Sequence, residues 1–278
     1  MIKNIQKVFE RIDYALEGIA KFQTAIVTEV AASGAILKPE PGRDGNVARF
    51  ILHIKKKPNL DKLGLSFGEL IHHLRSALDN LIVTTGLYLQ PNLSQKELKH
   101  LSFIIAATES EWNSSKNNVK VLPQAYIDEI KRVQPFNGFG TLKDRLDNLL
   151  VLMRDLDNKD KHHFQIVPST NQLSGGLDFS LEFEDGAAAE RAGPPIMTIR
   201  DIKFEDNTNL FDIEVNEPIK DIVGRYNVEA ELIVESNGIR YNAVSILLQL
   251  VSIVQVIVDC IQAIEDPNCR TFRVLKKA

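Results

Sequence analysis

The sequence predicts an α+β protein in which an N-terminal helical layer is followed by an antiparallel sheet closed by an apolar C-terminal helix. Three observations predict it. Apolar residues recur at three- and four-residue steps through much of the first 160 residues. The period drops to two from Leu177 onward, and the segment from Asn242 to Ile264 is the most apolar of the chain. These are the marks of amphipathic helices, half-buried strands and a core helix. The organisation they imply is one domain over 1–278. Its helical part covers about 1–160, with an early strand near 47–57, and the sheet plus closing helix covers about 162–278.

In chain order, Ile5, Val8, Phe9, Ile12, Leu16, Ile19, Phe22 and Ile26 lay out a long first helix over 2–30. Pro39, Pro41, Gly42 and Gly45 mark a turn region. Phe50, Leu52 and Ile54 then alternate with Ile51, His53 and Lys55 as a strand. Ser66 followed by Glu69 has the form of a capping box and places a helix start there, with Leu70, Ile71, Leu74, Ala77, Leu78, Leu81 and Ile82 as its apolar face. A second box, Ser94 to Glu97, opens a short helix. Pro123 suits the first turn of another, which must stop near Gln134 because Pro135 disfavours helical geometry in the residue before it. Thr141 is the expected N-cap of a helix carrying Leu142, Leu146, Leu149, Leu150, Met153 and Leu156.

Beyond that helix, Leu177, Phe179, Leu181 and Phe183 alternate with Asp178, Ser180, Glu182 and Glu184. Residues 196–204, 211–215 and 228–234 read as further strands, and the short links between them favour antiparallel pairing. Asn237-Gly238 is a turn signal. In the last helix, Val244, Leu247, Leu248, Val251, Val254, Val258 and Ile261 are expected to be buried. A membrane span is the rival reading of this segment. The polar stripe of Ser245, Gln249, Ser252, Asp259 and Gln262 speaks against it, since an Asp and several glutamines are costly in lipid.

Hydrophobic residues make up 44% of the chain and charged residues 25%, which excludes collagen-like and mostly disordered classes. With 33 Lys+Arg against 37 Asp+Glu, the net charge of −4 gives no indication of a nucleic-acid or membrane-surface partner, although a local basic patch is compatible with it. Two cysteines, Cys260 and Cys269, cannot form a disulfide framework, and the N-terminus lacks a signal-peptide apolar region. The expectation is a cytoplasmic protein without a membrane segment, with oligomerisation left open.

Two polar groupings stand out. On a helix over Ser66 to Tyr88, His72, Arg75, Ser76 and Asp79 fall within an arc of about 100°, opposite the apolar face, and Arg75 and Asp79 have the spacing of a helical ion pair. The second grouping is Asp157, Asn158, Asp160, Lys161 and His162, where a helix gives way to a strand. Taken alone, each reads as a solvated face or a helix terminus with favourable charges.

The stretch Gly68-Glu69-Leu70-Ile71-His72-His73-Leu74-Arg75-Ser76-Ala77-Leu78-Asp79 resembles the G-[DE]-x-x-H-x-L-R-S-A-L-D helix of a family of uncharacterised bacterial proteins. Gln134-Pro135-Phe136, about 55 residues on, matches that family's Q-P-[YF] element, and Leu156 to His163 matches its L-x-N-x-D-K-H-R, with His163 in place of the usual Arg. The resemblance covers about 45–168 and implies a pairing: His72, Arg75, Asp79, Asn158, Asp160, Lys161 and His162 as one network between two helices.

Two functional classes use such a network. One is a metal-independent endoribonuclease of the HEPN type, with Arg75 and His162 catalytic: the His as general acid/base at the 2′-OH and the Arg on the phosphorane. The chain departs from that class, because seven residues separate Arg154 from His162 where R-x4-6-H is usual. The other class is a binding or regulatory module in which the same residues hold helices together or grip an anion, and the acidic net charge favours it. His72, Asp79, Asp160 and His162 are acceptable metal ligands by type, but no zinc-type spacing is present, so neither metal nor cofactor is expected.

Overall fold

The computed structural model describes residues 5–42, 45–137, 143–159, 166–169, 178–200, 203–225, 230–236 and 238–265. In chain order the elements are α1 Gln6–Ala32, β1 Ile36–Pro41, β2 Val47–His53, α2 Leu60–Leu89, α3 Gln95–His100, α4 Glu109–Ser115, α5 Gln124–Arg132 and α6 Lys143–Lys159. There follow β3 Ile166–Ser169, β4 Asp178–Glu182, α7 Gly186–Arg191, β5 Ile196–Ile199, β6 Thr208–Glu214, β7 Asp221–Arg225, β8 Glu231–Ser236, β9 Ile239–Asn242 and α8 Ala243–Gln262. The fold is α+β: a helical N-terminal region, antiparallel strands and an apolar C-terminal helix are all present. The chain divides into two compact units, each gathered from separated stretches: Met1–Lys21, Leu65–Phe164 and Val244–Ala278 in one, Phe22–Gly64 and Gln165–Ala243 in the other.

The first unit is helical. The leading turns of α1 bury Ile5, Val8, Ile12, Ala15 and Ile19, and α2 buries the apolar face predicted for it. α6 contributes Leu149, Leu150, Leu152, Met153 and Leu156. Gly86, near the end of α2, is where a neighbouring segment comes closest: a Cβ added there would lie 2.9 Å from the Leu101 Cδ1. That segment, Leu101 to Ala107, belongs to no helix or strand, yet Leu101, Phe103, Ile104, Ile105 and Ala106 are all buried. Its backbone polar groups therefore need partners from side chains.

The second unit holds the strands, all paired antiparallel. Its largest sheet has the order β1-β2-β6-β5, so the early strand does join the later ones; β3-β8-β9 and β4-β7 form two smaller sheets. Leu37, Ala48, Phe50, Leu52, Leu210, Phe211 and Ile213 form its core, with the Phe50 and Phe211 rings stacked 4.4 Å apart.

Several boundaries differ from the sequence reading, each for a local reason. α2 starts at Leu60, because the Asn59 Oδ1 accepts from the Lys62 N–H at 3.2 Å and caps the helix seven residues before Ser66. The Ser66–Glu69 box thus lies inside a helix that has already begun. By contrast, the Ser94 box is formed, with the Glu97 carboxylate accepting from the Ser94 N–H at 2.8 Å. Pro39 and Pro41, read as turn residues, sit in β1. The Gly42 N–H donates to the Val47 carbonyl, so the even-numbered residues face β2 and both prolines face the outer edge, where no donor is required. The expected strand 196–204 is shorter, ending at Ile199. Thr141, Leu177 and residues 226–229 lie outside the described residues.

α8 is the one described helix long and apolar enough to cross a membrane by length and composition, with a mean hydropathy of 2.3; half of that window is buried inside the fold. Leu247, Val251, Val254, Val258 and Ile261 are buried as expected. Leu248 is not. It is 40% exposed and lies beside exposed Ser245, Gln249 and Ser252, while Val244 is half-buried. The polar stripe turns inward at its end, where Gln262 is 2% exposed.

Candidate functional site

The polar arc of α2 meets the unstructured but buried segment 101–107. The Arg75 Nη2 donates to the Phe103 carbonyl at 2.6 Å and lies 3.1 Å from the Asp79 Oδ1. The same Asp79 oxygen accepts from the Phe103 N–H at 2.9 Å. One helical pair at i,i+4 thus satisfies both backbone groups of a single residue, as a partner strand would. The Arg75 side chain is 17% exposed. Its Nη1 is buried without a hydrogen-bond partner among the described residues.

The rest of the segment is held in the same way. The buried Gln134 side chain accepts from the Ala106 N–H at 2.8 Å and donates to the Ile130 carbonyl at 2.9 Å. The Arg154 Nη1 donates to the Ile105 carbonyl at 3.2 Å and to the Glu111 carboxylate at 2.8 Å. Glu111 also accepts from the Ala107 N–H at 2.7 Å. That bond, opposed by burial and aided by Arg154, holds its carboxyl below the usual range. Asn118 donates to the Ser102 hydroxyl at 3.0 Å. These partners come from α2, α4, α6 and the flanks of α5, so the segment is clamped from several sides.

His72 lies at the outer end of the arc. Its Nδ1 donates to the Asp157 Oδ1 at 3.1 Å, which leaves Nε2 to accept from the Ser76 hydroxyl at 3.4 Å. The connectivity is that of a nucleophilic relay. The surroundings are not: the imidazole is 64% exposed, and Ser76 lies within α2, where backbone N–H groups are spent on the helix. The chain His72–Asp157 joins α2 to the end of α6 at the surface.

Of the residues singled out in the sequence, His72, Arg75 and Asp79 share one face of α2, and α6 reaches that face through Asp157. Asn158 is exposed. Asp160, Lys161 and His162 lie outside the described residues. Beside Asp79, the acceptor for Arg75 is the Phe103 carbonyl. Sequence reasoning missed Phe103 because its contribution is backbone and carries no residue signature. The available signal was an apolar run, Phe103 to Ala107, with neither helical nor strand periodicity. Among the described residues, no group of three or more His, Cys, Asp or Glu is placed to hold a metal ion.

Burial pushes the Asp79 carboxyl above its ordinary value of 3.8; Arg75 and the Phe103 N–H pull it down, and nearby Asp157 adds to the rise. The folded state therefore holds this proton more tightly than the unfolded chain, and ionising Asp79 costs stability as pH rises upward from 3.8. Asparagine cannot ionise. The stability difference between Asp79→Asn and the wild-type chain should become more favourable to the variant as pH rises above 3.8. Urea denaturation of both across that range reads it, and a flat difference would mean that Arg75 cancels the burial.

No family model matches the chain, and neither a curated protein nor a solved structure matches it.

Proposed function

We propose that this protein is a soluble, cytoplasmic, non-catalytic binding or regulatory protein, in which the Arg75–Asp79–His72 network shapes the molecule rather than carrying a reaction. One observation carries the reading. The guanidinium that such a nuclease would set against the phosphorane donates instead to the Phe103 carbonyl, and the carboxylate paired with it accepts from the Phe103 N–H. The Arg75 Nη2 is committed to a carbonyl and a carboxylate of the fold, while its buried Nη1 has no hydrogen-bond partner among the described residues. The resemblance to the bacterial family is proposed on the same ground. The motif blocks of that resemblance contribute Arg75, Asp79 and Gln134, and all three bond the backbone between Phe103 and Ala106.

A ribonuclease assay tests the reading directly. Purified wild-type protein, incubated with a fluorescently quenched RNA oligonucleotide in the presence of chelator, should leave the RNA intact. Metal-independent cleavage that disappears in both Arg75→Ala and His162→Ala, with each variant still folded by circular dichroism, would overturn it in favour of an endoribonuclease using Arg75 and His162.

A further inference from the structure

We propose that the cleft between α3 and the 3-10 turn Lys116–Val119 binds a small phosphorylated polyol, of sugar-phosphate size. The inference rests on the reading of the protein as a binding module and names its site. The cleft has a volume of about 480 Å³, within the range of roughly 300–1,000 Å³ typical of small-molecule sites. Lys96, His100, Asn117 and Lys120 line it, all exposed. In a chain of net charge −4, this places two ammonium groups and an imidazole around one concavity.

The one acid in the lining, Glu97, has a structural task. Its Oε2 accepts from the N–H and the hydroxyl of Ser94, at 2.8 and 2.6 Å, as the reciprocal half of the α3 cap. Those bonds, with Lys120 nearby, hold its carboxyl below the usual range. The ammonium groups are the recognition elements for phosphate, as flexible point charges with three donors each. Ser94 and Asn118 are engaged in the fold, so the Asn117 amide is the neutral group of the lining that suits a polyol hydroxyl, and the lining has no Phe, Tyr or Trp on which a nucleobase could stack. The cleft also has a firm wall. Asn118 ties it to Ser102, next to the residue gripped by Arg75 and Asp79, and Leu101 closes its base from the same buried segment.

Isothermal titration with glucose 6-phosphate, glucose, inorganic phosphate and citrate tests this on the full chain. Glucose 6-phosphate should bind saturably, glucose should not, and phosphate and citrate should each bind at least tenfold more weakly. The double variant Lys96→Ala/Lys120→Ala, altered only at exposed positions, should weaken glucose 6-phosphate at least tenfold with an unchanged circular dichroism spectrum. Absence of saturable binding, or binding unaffected in the double variant, would overturn the proposal. Citrate or phosphate binding as tightly as glucose 6-phosphate would overturn the assigned ligand class. Failure here leaves the RNA assay untouched, and RNA cleavage by the wild-type chain would overturn the non-catalytic reading without altering a titration at Lys96 and Lys120.

Discussion

Arg75→Ala is expected to lower the stability of the helical unit by about 2–3 kcal/mol, below the roughly 3–5 kcal/mol for a fully buried pair because the Asp79 side chain is 36% exposed. Three losses combine. The Phe103 carbonyl loses its 2.6 Å donor, Asp79 loses its counter-charge, and the space of a guanidinium that is only 17% exposed is emptied. Asp79→Ala should cost a comparable amount, since it strands the Phe103 N–H and leaves Arg75 without its carboxylate. Because both side chains serve one residue, the two effects should not add. A double-mutant cycle by urea denaturation should return a coupling of about 1–3 kcal/mol. Additive single effects, or an Arg75→Ala variant as stable as the wild type, would show that the 101–107 segment is held without the Arg75–Asp79 pair, by packing and its bonds to Gln134, Arg154 and Glu111.

The second large effect belongs to α8. Val251→Asp should cost at least about 4 kcal/mol and prevent recovery of folded protein, because Val251 is 0% exposed and a carboxylate there would have no partner. Leu248→Asp, three residues earlier on the same helix, should cost about 1 kcal/mol or less, since its side chain is 40% exposed beside Ser245, Gln249 and Ser252. Soluble yield and thermal melts of the pair give a contrast that one face of the helix alone can produce. Equal losses in both would mean that α8 is enclosed on every side.

That contrast also shows where the sequence was legible. The long helices were readable because their apolar positions leave one face polar; Ile12, Ile19, Leu74 and Leu81 are buried where a 3.6 period puts them. In α8 the stripe of Ser245, Gln249 and Ser252 marks the outer face, and Leu248, three residues after Ser245 and four before Ser252, lies within it; it was placed inside on its apolar character, when Leu247 and Val251 are the ones enclosed. The α2 start was misplaced because two cap signals compete within eight residues, and a helix takes the first that its flanking turn allows: Pro58-Asn59 precedes Ser66. β1 was hidden by prolines whose tolerance depends on lying at a sheet edge, a fact of pairing rather than of local sequence. For the site, the arc on α2 was visible as spacing and Arg75–Asp79 as an i,i+4 pair. The target of that pair was not visible, since Phe103 takes part through its backbone and lies 24 residues from Asp79.

The interleaving of the two units along the chain has a consequence for biosynthesis. During translation, the strands of 22–64 leave the ribosome well before β6, their partner at Thr208–Glu214, and the helical stretch 65–164 emerges in between. The helical stretch must in turn wait for α8, whose buried valines and leucines are made last of the described elements. Neither unit can close its core until residues far along the chain have been made, so the vectorial, N-terminal-first folding open to chains with consecutive domains does not apply to these two units. Closure over such long sequence separations slows folding. Nascent chains stalled before residue 243 lack α8, one of the buried helices of the helical unit, and should be clients for holdase chaperones until that helix is released.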